Sequence, residues 1–160
     1  MKNLVIIVAV GRNLEIGANN DLLWRFREDL QNFRDVTMGH YVVMGLNTYR
    51  SMPPSLEGRK YIVISESKVD DEAVMTFGDL DAFLDFARGT GETIFVIGGG
   101  MIYSQLIGHC NKMILTEIDA EAPDAHVFFP NFDRAQWRIE CIGEFVSPCG
   151  VAYKRNVYTR

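Results

Sequence analysis

The chain has 160 residues, 48% of them hydrophobic and 23% charged, which suits a single domain spanning residues 1–160 with a sizeable buried core. A formal net charge of −5 without runs of like charge argues against nucleic acid or an anionic membrane as partner, and the apolar run Leu4–Val10 is too short to cross a bilayer. Three widely spaced cysteines (Cys110, Cys141, Cys149) without an export signal point to a reducing cytoplasm, and His40, His109 and His126 match no metal-ligand spacing with them, so no metal is expected.

In chain order, apolar runs rich in β-branched residues fall at Leu4–Val10, Tyr41–Met44, Tyr61–Ile64, Thr93–Ile97 and Met113–Ile118, mostly with helical or turn-like segments between them. Continuous apolar strands alternating with helices predict an α/β fold, a mainly parallel twisted sheet with helices flanking both faces. The C-terminal stretch Val151–Tyr158 is expected to add an antiparallel strand. Ligands of such sheets bind beyond the carboxyl ends of the strands, so chemistry is sought in the loops that leave them.

Four segments carry unusual residues. Residues 19–33 read as a loop entering a helix. At about 100° per residue Phe26, Leu30 and Phe33 form one apolar stripe with Asp29 on its edge, while Arg27, Glu28 and Gln31 lie away from it. An ionised carboxylate facing a core is costly unless a cation or hydrogen-bond donor meets it, so Asp29 implies either a ligand or a basic side chain of the same chain. Val42–Tyr49 reads as strand, Gly45 and helix start, with Asn47 or Thr48 placed to cap the helix or to donate to a phosphate. Leu56–Tyr61 is a turn delivering Arg59 and Lys60, and Arg59 either grips a carboxylate with its planar fork or is simply solvated. Ile94–Tyr103 is a buried strand followed by Gly98, Gly99 and Gly100 and a helical pattern through Leu106. The glycines either let backbone N–H groups approach an anion or serve turn geometry alone, and their spacing is neither a Rossmann nor a Walker signature. Two such turns in one small domain suit a diphosphate.

Together, Leu22-Leu23-Trp24 followed by Asp29-Leu30 and Phe33, then Val42-Val43-Met44-Gly45 with Thr48-Tyr49, then Gly58-Arg59-Lys60, then Val96-Ile97-Gly98-Gly99-Gly100 with Tyr103, then Leu115–Glu121 and Phe128-Phe129-Pro130, form an ordered set. From about Leu4 through Tyr158 it resembles the bacterial-type dihydrofolate reductase family. The resemblance implies an oxidoreductase that reduces 7,8-dihydrofolate to 5,6,7,8-tetrahydrofolate by hydride transfer from a nicotinamide dinucleotide, supplying one-carbon metabolism for thymidylate and purine synthesis. It also implies a cytoplasmic monomer inhibited by antifolates such as methotrexate or trimethoprim.

By the same resemblance Asp29 is the carboxylate that hydrogen-bonds the pterin's 2-amino group and ring nitrogen, supported by Thr116 and a water linked to Trp24. Ile7, Val8, Ala9, Leu30, Phe33, Met52, Leu56 and Ile97 line the substrate pocket, and Arg59 holds the substrate's glutamate carboxylate. The cofactor lies across Ala9, Ile16, Gly17, Gly45, Leu46, Asn47, Thr48, Ser65, Glu66, Ile97, Gly99, Gly100, Met101, Ile102 and Tyr103. The Gly98–Gly99 peptide is expected to be cis, and Gly11–Leu23 resembles a mobile lid.

The chain departs from the family pattern in three places. Leu23 stands where many members have proline. Asp124-Ala125-His126-Val127 replaces an acidic-threonine pair in a stretch about one residue longer than usual, so no lid partners are assigned there. Leu46, Glu66 and Met101 occupy positions where many members hold the cofactor's 2′-phosphate. NADPH is the family default, and these three residues suggest use of NADH, unless Lys68 or Lys60 supplies the missing cation or Ser65 takes the position read for Glu66. Two rivals remain. A related pyrimidine reductase of riboflavin synthesis would lack the Trp24–Asp29–Phe33 helix, and a non-catalytic dinucleotide-binding module would leave Asp29 and Arg59 without a role.

Overall fold

A computed structural model describes residues 1–18, 21–52 and 57–160, with the backbone alone at Ala18, Asp21 and Leu22. The chain runs β1 (Leu4–Val10), β2 (Glu15–Ala18), β3 (Asp21–Leu22), α1 (Arg27–Thr37), β4 (Tyr41–Gly45), α2 (Leu46–Ser51), β5 (Lys60–Ile64), β6 (Val74–Phe77), α3 (Leu80–Thr90), β7 (Ile94–Val96), α4 (Gly100–Leu106), β8 (Lys112–Ile118), β9 (Val127–Phe128), β10 (Arg138–Val146) and β11 (Ala152–Thr159).

All five apolar runs are strands, and they lie in one sheet ordered β10-β11-β8-β1-β7-β4-β5-β6. The six strands from β8 to β6 are parallel, and β11 runs antiparallel to β8, as expected of the C-terminal stretch. The sequence reading missed β10, which pairs antiparallel with β11 at the sheet edge. Most of its side chains are exposed, so it carries neither a continuous apolar run nor a buried face that alternation would reveal. Also missed were β6 at the opposite edge and a small second sheet, β3-β2-β9. Strands of two to four residues leave little periodic signal.

Strand β1 explains why the central runs are apolar throughout. Leu4, Ile6 and Val10 join the layer formed with Phe83, Leu84 and Ala87 of α3 and Tyr103 and Leu106 of α4. Val5 and Ile7 face the opposite layer, where Phe33 and Val36 of α1 pack against the sheet. Each fully buried aliphatic side chain contributes roughly 1.5–3 kcal/mol, so a strand covered on both faces gains at nearly every position. The route from β1 through β4 to β6 runs one way across the sheet and the return through β7 to β8 runs the other, which places α1 and α2 on one face and α3 and α4 on the other.

The small sheet clasps the loop after β1. Glu15 is 2% exposed, and its carboxylate accepts hydrogen bonds from the Asn13 and Ala122 N–H groups, each at 2.6 Å. Burial alone would raise its pKa, but the N–H donors of Ala122, Glu15 itself and Asn13, with a smaller contribution from Arg12, outweigh it and hold the carboxyl below its ordinary value of 4.5. A depressed folded value means that the stabilisation is present above the unfolded value and disappears as pH falls through the folded one. Glu15→Gln is therefore expected to cost roughly 1–3 kcal/mol at pH 7 and to shrink the acid-side loss of stability, read from urea unfolding at pH 7 and pH 3. An equal loss at both pH values would show that the charge of Glu15 contributes nothing.

Candidate active site

Three neighbouring strands bring one row of side chains to the face under α1. Ala9 of β1 lies opposite Thr116 of β8, and Thr116 lies opposite Arg155 of β11, so all three project to the same side of the sheet. Asp29 enters from the first turn of α1, where a negative charge also suits the helix dipole. Its Oδ1 accepts from Thr116 Oγ1 at 2.5 Å and from Arg155 Nη2 at 2.8 Å. The Asp29 side chain keeps 19% exposure, and among the described residues Oδ2 accepts no hydrogen bond.

Asp29 thus faces inward as its helix position implied, and a basic side chain of the same chain does meet it. Glu28 lies away from the apolar stripe, as expected, and its side chain is 43% exposed. It turns toward β11, where its two oxygens take Arg155 Nη1 at 3.0 Å and Nη2 at 2.8 Å and its Oε1 also takes the Tyr153 hydroxyl at 3.0 Å. The helix edge between residues 28 and 29 straddles the guanidinium, so both carboxylates reach it. Hydrogen bonds from Arg155 and Tyr153 hold the Glu28 carboxyl below its ordinary value against the opposing effect of burial. Burial and the bond to Glu28 push the Tyr153 phenol up to about 12. Arg155 is 4% exposed, and burial of the guanidinium is outweighed by its bonds to Glu28 and Asp29. The sequence reading missed both Arg155 and the turn of Glu28. A charged residue alternating with Tyr153 and Val157 on one face of a strand was the available signal for Arg155.

Around this carboxylate the apolar walls are partly assembled. The Ile7 side chain lies in the layer under α1, and Phe33, Met52 and Ile97 pack against the same layer. Ala9 shares that strand face, Leu30 is half-buried on α1, and Leu56 lies outside the described residues. Val8 differs, because alternation along β1 turns its side chain to the layer under α3 and α4, leaving only its backbone on the Asp29 side. Trp24 is half-buried, and its ring edge lies 2.5 Å from where a Cβ on Gly11 would sit.

Arg59 is anchored rather than solvated. Its Nε donates to Thr37 Oγ1 at 3.1 Å, Nη1 to the Glu57 carbonyl at 2.6 Å and Nη2 to the Arg34 carbonyl at 2.5 Å. The last contact places a cation on an otherwise unpaired carbonyl near the C-terminal end of α1. Two of its five N–H donors beyond these bonds complete the guanidinium's fork.

The two glycine turns meet each other because β4 and β7 are neighbours. Gly45 N–H donates to the Gly98 carbonyl at 2.9 Å and Ile97 N–H to the Val43 carbonyl at 3.0 Å. The Gly98–Gly99 peptide is cis, as expected. A Cβ at Gly100 would lie 2.8 Å from Val127 Cγ1, and one at Gly45 would lie 3.3 Å from Ile102 Cγ1. Neither Asn47 nor Thr48 caps α2, because both lie inside the helix and its N-cap is Gly45, with no side-chain bond. Asn47 is exposed, and Thr48 Oγ1 lies 3.4 Å from the position of a Gly99 Cβ.

Ile16 and Ile102 are buried in the layer under α3 and α4, and Tyr103, 3% exposed, donates its hydroxyl to the Ile7 carbonyl at 3.0 Å. Gly17 sits in β2 opposite Leu22 and Val127, and its carbonyl accepts the His126 N–H, a contact in the stretch left unassigned from sequence. Ser65 and Glu66 line a cleft with Lys68, Asp70, Asp71 and Glu72. Leu46 packs against the apolar sheet layer, whereas Met101 is 74% exposed. Lys60 is no substitute cation there. It starts β5, four residues before the strand's end, and pairs with Glu92 at 3.3 Å.

Among the described residues no group of three or more His, Cys, Asp or Glu side chains is arranged to hold a metal, and no helix is long and apolar enough to cross a membrane. The dihydrofolate reductase family profile matches residues 3–149. The chain is 36% identical to a dihydrofolate reductase of Neisseria gonorrhoeae over 156 residues, covering 96% of this chain and 95% of that one. It is 34% identical to a dihydrofolate reductase of Bacillus subtilis over 135 residues, 83% of this chain and 79% of that one, and 35% identical to one of Haemophilus influenzae over 135 residues, 84% and 83%. A matched profile that takes in both glycine turns, the inward carboxylate and its threonine partner means that the chain belongs to the dihydrofolate reductase family.

Proposed function

We propose that the chain reduces 7,8-dihydrofolate to 5,6,7,8-tetrahydrofolate with Asp29 as the pterin-binding carboxylate. The observation that carries this reading is the Asp29 carboxylate itself, set on an apolar wall with one oxygen tied to Thr116 and Arg155 and the other taking no bond from the described residues. A pterin's 2-amino group and ring N–H present two adjacent donors, which one carboxylate edge satisfies. Thr116 fixes the rotation of that edge, and Ile7, Ala9, Leu30, Phe33, Met52 and Ile97 supply the apolar enclosure. Arg59 keeps two N–H donors beyond its own anchors and offers them to the substrate's glutamate carboxylate.

The glycine turns fit a nicotinamide dinucleotide. Neither turn has room for a side chain, since a Cβ at Gly45 would press on Ile102 of α4 and one at Gly100 on Val127 of β9, and the first turns of α2 and α4 leave backbone N–H groups unpaired within their helices. Gly45, Asn47, Thr48, Gly99 and Gly100 would hold the phosphates, with Ala9, Ile97 and the backbone of Gly17 beside the nicotinamide. When bound, the reduced nicotinamide supplies the hydride delivered to C6 of the pterin. Asp29 has no need to touch N5, because a fixed anion beside the ring favours the protonated substrate while water delivers the proton. The loop that begins at Gly11, held there by Glu15, would serve to exclude bulk water. A soluble, cytoplasmic, monomeric enzyme inhibited by methotrexate or trimethoprim accords with this reading.

NADH is expected to serve as well as NADPH to within about three powers of ten, since two missing charge-assisted contacts forfeit roughly 3–6 kcal/mol. Leu46 is occupied in apolar packing, Met101 offers no charge, and the cleft at Ser65 and Glu66 carries four carboxylates against Lys68. The ratio of kcat/KM for the two cofactors measures this, and Leu46→Arg should raise the NADPH preference at least about tenfold. A native preference above about a thousandfold that Leu46→Arg leaves unchanged would place the phosphate on other residues.

Asp29→Asn tests the central reading. Single-turnover hydride transfer at pH 7 is expected to fall by two or more powers of ten, roughly the reach of general acid–base and electrostatic assistance, with partial recovery as pH is lowered. A native-like rate at pH 7 would remove Asp29 from the chemistry.

A further inference from the structure

We infer that Glu28 and Arg155 form a charge-balancing pair behind the pterin-binding carboxylate, in which Glu28 positions and neutralises Arg155 so that Asp29 keeps the site's net negative charge. The inference rests on the reading of Asp29 given above.

Arg155 poses a problem that the pair solves. Its side chain is 5% exposed, and Nη2 lies 2.8 Å from Asp29 Oδ1. A lone buried cation at that distance would satisfy Asp29 by itself and oppose any positive charge developing on a bound ring. Glu28 takes the same guanidinium on both carboxylate oxygens, the geometry in which arginine binds a carboxylate most strongly. Two carboxylates and one guanidinium leave one net negative charge, as an isolated Asp29 would carry.

The neighbours keep this partition fixed. The Tyr153 hydroxyl donates to Glu28 Oε1, and the Arg155 guanidinium lies over the Phe145 ring at 4.9 Å. Phe145 stacks on Tyr153 at 5.1 Å, and Tyr153 stacks on Phe26 at 5.0 Å, one residue before α1 begins. The column sets the plane of the guanidinium and the height of the helix start together. The Arg155 Nε is buried without a hydrogen-bond partner among the described residues, so Nη1 and Nη2 alone divide the cation between the two acids. Glu28 and Arg155 are positioning residues, since neither is placed against substrate.

Glu28→Gln keeps the length and an acceptor oxygen of Glu28 and removes its charge. Three quantities are measured on the full chain: single-turnover hydride transfer to dihydrofolate, binding of folate as a ligand neutral at the pterin, and binding of 2,4-diaminopyrimidine, which is basic enough to bind as a cation. Glu28→Gln is expected to slow hydride transfer and weaken the diaminopyrimidine about tenfold each, the scale of a close charge coupling, with folate binding changed less than about threefold. Adding Arg155→Met removes the unbalanced cation and should bring both quantities back to within about threefold of the native protein, a recovery that a merely structural ion pair does not give. The inference is overturned if Glu28→Gln changes neither quantity, if it weakens neutral and cationic ligands alike, or if a folded double variant recovers nothing. If the double variant does not fold, the comparison of ligand charges in Glu28→Gln decides alone. Retention of diaminopyrimidine binding by Asp29→Asn would instead defeat the reading of Asp29, independently of the pair.

Discussion

A parallel sheet with apolar side chains on both faces has to be covered on both, and this chain meets that constraint by reversing its direction of travel. Helices α1 and α2 cover the layer containing Val5 and Ile7, and α3 and α4 cover the layer containing Leu4 and Ile6. Strand β7 follows β6 in the chain but lies between β1 and β4, which puts the turn after β7 against the turn after β4. The contact between Gly45 and Gly98 follows from that insertion, and the carboxyl ends of β1, β4 and β7 lie side by side at one edge of the sheet.

The second consequence is the registry under α1. Because β1, β8 and β11 are adjacent, Ala9, Thr116 and Arg155 form a row whose spacing is set by backbone hydrogen bonds rather than by side chains. A helix that begins over this row must place its first-turn acids against a hydroxyl and a guanidinium. Asp29 and Glu28 do so, and the charge they carry at a helix N-terminus is favourable before any ligand arrives. The row is thus held by regular elements, while the loop after β1 rests on short strands and on the buried carboxylate of Glu15.

The enclosure is built from residues with double duties. Tyr103 spends its hydroxyl on the Ile7 carbonyl, and Arg59 spends three donors on Thr37, Glu57 and Arg34. Such anchoring lowers the entropy that would be lost when a ligand is bound. The cleft at Glu66, Asp70, Asp71 and Glu72 stands apart from this pattern, since four carboxylates share it with the single cation of Lys68.

Local chemistry was enough to locate the central strands, the two glycine turns and the inward Asp29, because burial on both faces demands continuous apolar runs and a helix stripe has a period that can be counted. Thr116 came from matched motifs alone, since nothing in its own segment distinguishes it from an ordinary strand residue, and the turn at Arg59 by itself left a carboxylate grip and simple solvation both open. Only the tertiary structure turned Val8 away from the cleft, removed Lys60 to the far end of β5 and left Asn47 and Thr48 without a capping bond. It alone brought Arg155 to Asp29 across 126 residues of chain and within reach of Glu28 on the exposed edge of the helix. The reason is physical: pairing between distant strands and the partners of a charge depend on sheet order and register, which no periodicity within a single segment encodes.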